Sequence, residues 1–485
     1  DCNLLAGTFQ LNAPTSDAGD PSVVACNRFA DGTFLVVWQQ DSVIRGRLVG
    51  LNGPLANAFT VSNPPPGAQD DRPSVSGPGS GAMMVAWQRA AAGTSVPQQI
   101  VLRHLYFPVA NLPVVMNVSP ERILETVTSG RVEGVRLARS DVRRVQGGLD
   151  WWANRAVWQR YSGLGWDVRT AAFRVKNAPF GFAWTNSPTY VPTASYAGLD
   201  EIAPDIAGRA SLHGDDSDVQ YLIVWEAGGD VRGHMMDLAA GLGAQLDLAT
   251  GPVYQGRPAV GAGFCEFTLA YDERPGSPPS IIRTEQVLLD GTVPTNAPAL
   301  YASLELQDVP RVSSRPIHSV ATQQHGRALV AWQFDTGTSS VNDGLRARFV
   351  EPMLFDEVVA GTACAGPLGQ LPQISRGGDA FAGSEDFGMD VSNAPPTSLA
   401  VLAVGDAVQT VPIPGAPGCT LHVGLPPLAL FPAITDSAGL AGIDLPLPCS
   451  IPDGFVLRFQ WAIFAPTVNV FGWITSDAST VTWHR

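Results

Sequence analysis

Residues Asp20 to Asn63, DPSVVACNRFADGTFLVVWQQDSVIRGRLVGLNGPLANAFTVSN, decide the fold. An Asp-Pro opening leads into a short apolar run and a polar turn. A second apolar run closes on Trp38-Gln39, and an Arg-bearing segment and a last short apolar segment follow. Short β-branched and aromatic runs bounded by Gly, Pro, Asn and Asp read as four strands joined by turns.

The same pattern returns along the chain, and a recurring unit of this length is the signature of a repeat architecture. The second runs align as FLVVWQQ (34–40), MMVAWQR (83–89), NRAVWQR (154–160), YLIVWEA (221–227), FTLAYDE (267–273) and ALVAWQF (328–334). Their aromatic anchors are Trp38, Trp87, Trp158, Trp225, Tyr271 and Trp332. A third segment after each anchor carries an Arg that aligns across the units: Arg45, Arg103, Arg169, Arg232, Arg283 and Arg346. Opening strands precede the anchors at 20–25, 71–77, 133–139, 203–208, 257–263 and 309–314. No stretch shows convincing helical periodicity. Four strands per unit in six units predict an all-β chain, a six-bladed β-propeller over 1–361 followed by a β-sandwich over 362–485. Seven blades is the alternative count, because GTFQLN (7–12) and LFDEVVAG (354–361) compete for the strand that closes the ring.

On these residues the repeat resembles a family of secreted bacterial propeller repeats of the form D-x-P-x-V…D-G-x-F-x-V-x-W…I-x-G. The first unit matches best, including Asp31-Gly32-Thr33-Phe34, and the resemblance covers roughly residues 7–361. Units three and five depart from it, with Glu133-Gly134 at the opening and Tyr271 in place of Trp. The tail is similar to a carboxy-terminal β-sandwich module of secreted proteins from GC-rich bacteria. The likeness rests on Cys364, Asn393-Ala394-Pro395, Gly418-Cys419, Gln460-Trp461 and Asn469 to Gly472. The two resemblances imply a secreted or cell-surface setting, with the tail serving attachment or assembly.

Composition removes some classes of function. A formal net charge of −14 opposes nucleic acid and anionic membrane as partners. No apolar run reaches the ~20 residues of a membrane-spanning helix. A start at Asp1 without Met fits a mature, exported chain. The cysteines at 2, 26, 265, 364, 419 and 449 show no zinc spacing, and in an exported protein disulfides are their expected use. Their connectivity stays open, including whether Cys449 pairs with Cys419 or Cys364.

Carboxylates gather at the openings of the repeats: Asp20, Asp70 and Asp71, Glu133, Asp200 and Glu201, and Asp308. Opening strands line a propeller's channel. Asp20, Asp71, Glu133, Asp200 and Asp308 are therefore candidates for a collar at one mouth that could hold Ca²⁺. Turn capping is the alternative role. Unit five has Gln255 instead. No HExxH, GxSxG, P-loop or Asp-box pattern occurs. The leading expectation is a non-enzymatic structural or binding protein, its partners other extracellular proteins, its own copies or glycans. The alternatives are a lectin-like propeller and a glycan-active hydrolase, for which Glu226 and Asp272 stand out because they replace the Gln that follows the other anchors.

Overall fold

The computed structural model describes residues 18–25, 34–50, 53–77, 82–106, 117–146, 149–176, 181–190, 199–208, 220–237, 242–262, 266–274, 281–288, 291, 293, 299–302, 306–314, 328–335, 344–350, 354–378, 380, 387–413, 415–416, 418–448, 451–452 and 454–484. Of 139–146, 149–152, 181–190, 299–302, 306–314, 328–335 and 344–350 it describes the backbone only. The chain divides into two units, Asp1–Ala321 with Ala328–Val350, and Glu351–Arg485 with Thr322–Arg327. All regular structure among the described residues is β.

The first unit is a β-propeller. Among the described residues, six antiparallel sheets follow one another in chain order, each made of strands consecutive in sequence. The opening strands are Ala18–Ala25, Gln69–Ser76, Arg131–Gln146, Glu201–Gly208, Tyr254–Ala262 and Leu306–Ser314. Each pairs with its anchor strand, and the anchor strand pairs with the Arg-bearing strand. The sixth sheet shows three strands among the described residues.

Neighbouring sheets bury their faces against one another, so the core is divided into slabs. One slab joins Leu35, Val37 and Ile44 of the first sheet to Val85, Trp87 and Val101 of the second. The next joins Met84 and Leu102 to Trp158 and Phe173. Trp225 faces back onto the third sheet and Tyr271 onto the fourth. An anchor thus fills the gap toward the sheet before it. Trp38 is only 3 % exposed.

Opposite each anchor the opening strand carries a β-bulge, at the same place in all six sheets. The bulged residue has a left-handed backbone in five of these sheets. These are Asp20 (φ 48°), Arg72 (47°), Gly134 (65°), Ala203 (50°) and Arg257 (48°). Only one of them is Gly, so the others carry strain that the surroundings must hold. The holding group is the residue after the previous sheet's anchor. Gln88 Oε1 accepts from Gly134 N at 3.2 Å, Gln159 Oε1 from Ala203 N at 2.8 Å, and Glu226 Oε2 from Arg257 N at 3.2 Å. A second set of bonds ties the opening strands directly. Ser22, Ser74 and Asp205 accept from Val75 N, Leu137 N and Val260 N of the following strand.

These bonds give a testable cost. Gln159→Ala orphans the Ala203 N–H and should lower stability by about 1 kcal/mol, while Gln159→Glu, which keeps an acceptor, should lose less. Urea unfolding of the two variants measures this, and equal loss in both would exclude the latch role.

The second unit contains a five-stranded sheet in the order Ala429–Ile434, Leu399–Gly405, Val456–Phe464, Trp473–His484, Leu354–Ala360. A three-stranded sheet of Gln373–Gly377, Gly388–Ser392 and Ala441–Asp444 shares its core. Phe387, Met389, Phe459, Trp461 and Trp483 fill the space between them. Cys364 and Cys419 form a disulfide (Cα–Cα 4.9 Å). Cys2, Cys26, Cys265 and Cys449 lie outside the described residues. Leu354–Ala360 pairs along its whole length with Trp473–His484, so the strand placed before the boundary at 361 belongs to the carboxy-terminal unit. Phe355 packs against that unit's core, which fixes the assignment.

Candidate functional site

Opening and anchor strands run antiparallel. The start of each opening strand, the end of each anchor strand and the start of each Arg-bearing strand therefore lie at one mouth of the channel. The five candidate carboxylates divide there by position relative to the bulge. Asp71, Glu133 and Asp308 each directly precede the bulged residue, facing Gln88, Gln159 and Gln333 across the ladder. The side chain of Asp308 lies outside the described residues. Asp20 sits one place further on, at the bulged residue itself, and is exposed. Asp200 is not on a strand; its Oδ1 accepts from Trp166 N at 3.0 Å, so it caps a turn. Among the described residues no three His, Cys, Asp or Glu side chains converge as a metal site.

Asp71 is the most perturbed acid at this mouth. It is half-buried, the Gln88 side chain hydrogen-bonds its carboxylate, and Oδ1 is buried with no hydrogen-bond partner. Burial pushes its pKa up to about 6. The Gln88 bond and Arg72 pull the other way, and the charges of Asp20 and Asp70 add to the rise. Glu133, in the next sheet, lies between Arg131 Nε at 3.1 Å and Arg72 Nη1 at 3.6 Å. Arg72 thus stands between the two carboxylates.

One residue earlier the strand faces the other way, and the acids there are structural. Asp70 is fully buried and takes a two-pronged ion pair from Arg89, at 2.6 and 2.9 Å. Glu201 is buried and accepts from Val168 N at 3.1 Å. Glu226 and Asp272, which break the Gln pattern, are also buried. Glu226 does the work that Gln88 and Gln159 do, taking Arg257 N together with the Tyr254 hydroxyl at 2.9 Å. Burial and the Glu226 charge push the Tyr254 hydroxyl well above the usual tyrosine value. Gly256 leaves the room for this contact: a Cβ there would stand 2.5 Å from Glu226 Oε2. Asp272 pairs with Arg274 at 2.6 Å.

The aligned arginines are mostly cross-strand partners of the anchors: Arg45 of Trp38, Arg169 of Trp158, Arg232 of Trp225, Arg283 of Tyr271 and Arg346 of Trp332. Arg103 departs from the series. Val101 faces Trp87, and Arg103 lies two residues on, opposite Val85. What sequence reading missed is the role of the Gln after the anchor. Its recurrence was visible; the strained N–H that it meets was not.

The class that these sheets define is the β-propeller. No protein-family model matches the sequence, and no curated protein matches it. Solved structures do. An exo-β-1,3-galactanase from Phanerochaete chrysosporium is 9% identical over 96% of this chain and 92% of its own, with a TM-score of 0.31. An α-L-arabinofuranosidase from Lactobacillus brevis is 10% identical over 63% and 97%, with a TM-score of 0.32. A GH43 endo-arabinanase from Bacillus licheniformis is 10% identical over 59% and 93%, with a TM-score of 0.30. Similarity at this level transfers neither substrate nor catalytic residues. Those three proteins are named as glycan hydrolases, where the sequence reading expects a non-enzymatic structural or binding protein; at TM-scores near 0.3 the likeness decides nothing about the activity of this chain.

Proposed function

We propose that this chain is a secreted glycan-active hydrolase with its reacting carboxylates at the channel mouth, Asp71 acting as general acid. The observation that supports this is the state of Asp71: half-buried, one oxygen unpartnered, and titrating near 6. An acid that keeps its proton into this range can protonate a leaving oxygen, which an ordinary aspartate cannot do at the same pH. Glu133, the equivalent residue of the adjoining sheet, supplies the second carboxylate. In the reaction the Asp71 proton passes to the glycosidic oxygen as its bond to the anomeric carbon breaks. Water adds to that carbon and its proton passes to Glu133. Arg72, which pairs with Glu133, positions the carboxylate.

The test is reducing-end release from neutral and acidic polysaccharides between pH 4 and 8. Activity should fall as pH rises through about 6, where Asp71 loses its proton. Asp71→Asn and Glu133→Gln should each lower kcat by about 10²–10⁴-fold. Full activity in both folded variants would overturn the assignment. Binding without any bond cleavage would favour a lectin-like propeller.

A further inference from the structure

The displaced Arg103 borders a shallow, solvent-open depression between the outer strands of the first two sheets, lined by Thr60, Ser62, Asn63, Arg103, Ser119 and, with Val118, Pro120. The lining mixes hydroxyls, an amide and a guanidinium with two apolar side chains, which suits a molecule with hydroxyl groups on a carbon ring.

Arg103 is held in place but not used up. Its Nη1 donates to Val61 O, and its Nη2 faces Glu121 Oε1 at 3.6 Å, beyond hydrogen-bond range. The Nη2 hydrogens therefore remain to be given. Ser62 and Ser119 are also fixed, accepting from Ile44 N at 2.8 Å and His104 N at 3.0 Å. The wall of the depression is preformed rather than assembled by a ligand.

Charge selects among ligands. Arg103 and Arg89 are matched by Glu121 and Asp70: Arg89 bonds both acids, and Glu121 also takes Asn63 N at 2.6 Å. The cluster has no surplus cation to attract an anion. The geometry points to a binding site for a neutral sugar residue in this depression, with Arg103 Nη2 and the Asn63 amide as its polar contacts. The site breaks the repeat: the other arginines of the series face their sheet's anchor, and this one does not. The choice of sugar as the ligand class rests on the glycan reading above, whereas the depression and its chemistry do not.

The experiment titrates galactotriose, xylotriose, arabinotriose and trigalacturonic acid into Asp71→Asn protein. Calorimetry reads the affinity, so binding is measured apart from hydrolysis. One of the neutral trisaccharides should bind. Arg103→Met should weaken it at least 10-fold, and Asn63→Trp, which fills the depression from an exposed position, should do the same with unchanged thermal unfolding. Binding of trigalacturonic acid alone, binding indifferent to both variants, or no binding of any of the four would overturn the proposal. Binding that follows these variants in a chain that cleaves nothing would uphold this site while refuting the hydrolase reading.

Discussion

Asp71→Asn is expected to make the protein more stable at pH 8 and to leave its stability at pH 3.5 nearly unchanged. The sign follows from the direction of the shift. The carboxyl titrates at about 6 in the folded chain against an ordinary 3.8. Below 3.8 both the folded and unfolded states hold the proton, and Asp71 contributes no difference. Between 3.8 and about 6 the unfolded chain ionises while the folded chain does not, so stability is lost as pH rises, and above about 6 the loss is complete. A shift of this size is worth about 3 kcal/mol at full value. Asp71 is half-exposed, so screening by solvent reduces the expected gain to roughly 1 kcal/mol. Asn has nearly the same shape and keeps a hydrogen-bonding group for Gln88, so packing is little disturbed. Urea unfolding of both proteins at pH 3.5 and 8 checks this. A gain independent of pH would mean that Asp71 is not the titrating group. A variant that gains stability as it loses hydrolysis would show a carboxyl kept at an energetic cost for its chemistry.

The repeat made the architecture legible because its strongest signals are packing signals. Trp87, Trp158 and Trp225 recur because each fills a gap between two sheets, and that need repeats with the ring. The X-Pro openings recur because each holds a bulge across from an anchor, although alternation alone gave no hint of the left-handed residue there. Two assignments went astray where local sequence leaves the partner undetermined. Arg103 was counted with the other arginines because alignment by residue type overlooks the longer hairpin of that sheet. There the ladder shifts register between Arg89 and Ala90 and delays the third strand. LFDEVVAG has the alternation of an outer propeller strand, and only its partner, Trp473–His484, far along the chain, places it in the second unit. The site was half legible. Asp71 and Glu133 could be named from their place in the repeat, but not the burial that sets Asp71 apart from Asp20. Separating Asp70 from Asp71 needed the strand's alternation: one side chain enters the sheet interface and the next faces the mouth.

That separation underlies the largest polar effect expected in this chain. Arg89→Met should cost about 3–5 kcal/mol, far more than loss of an exposed ion pair. The Asp70 side chain is 0 % exposed and Arg89 only 7 %. Removing the guanidinium leaves a buried carboxylate without its ion-pair partner, and Glu121 loses its contact at 2.9 Å as well. Adding Asp70→Asn to Arg89→Met removes the uncompensated charge, so the double variant should be more stable than Arg89→Met alone even though it carries one more substitution. Such a reversal is what distinguishes a desolvated pair from simple loss of side-chain packing, for which the two changes would add. Equilibrium unfolding of the single and double variants reads it directly, and additive losses would sink the interpretation. The network also joins the two places where function is proposed. Asp70 is covalently next to Asp71, and Glu121 holds Asn63 at the sugar site through its backbone N–H. Arg89→Met should therefore weaken sugar binding as well as stability. The double variant, which restores the fold without restoring the grip on Glu121, should recover stability but not affinity.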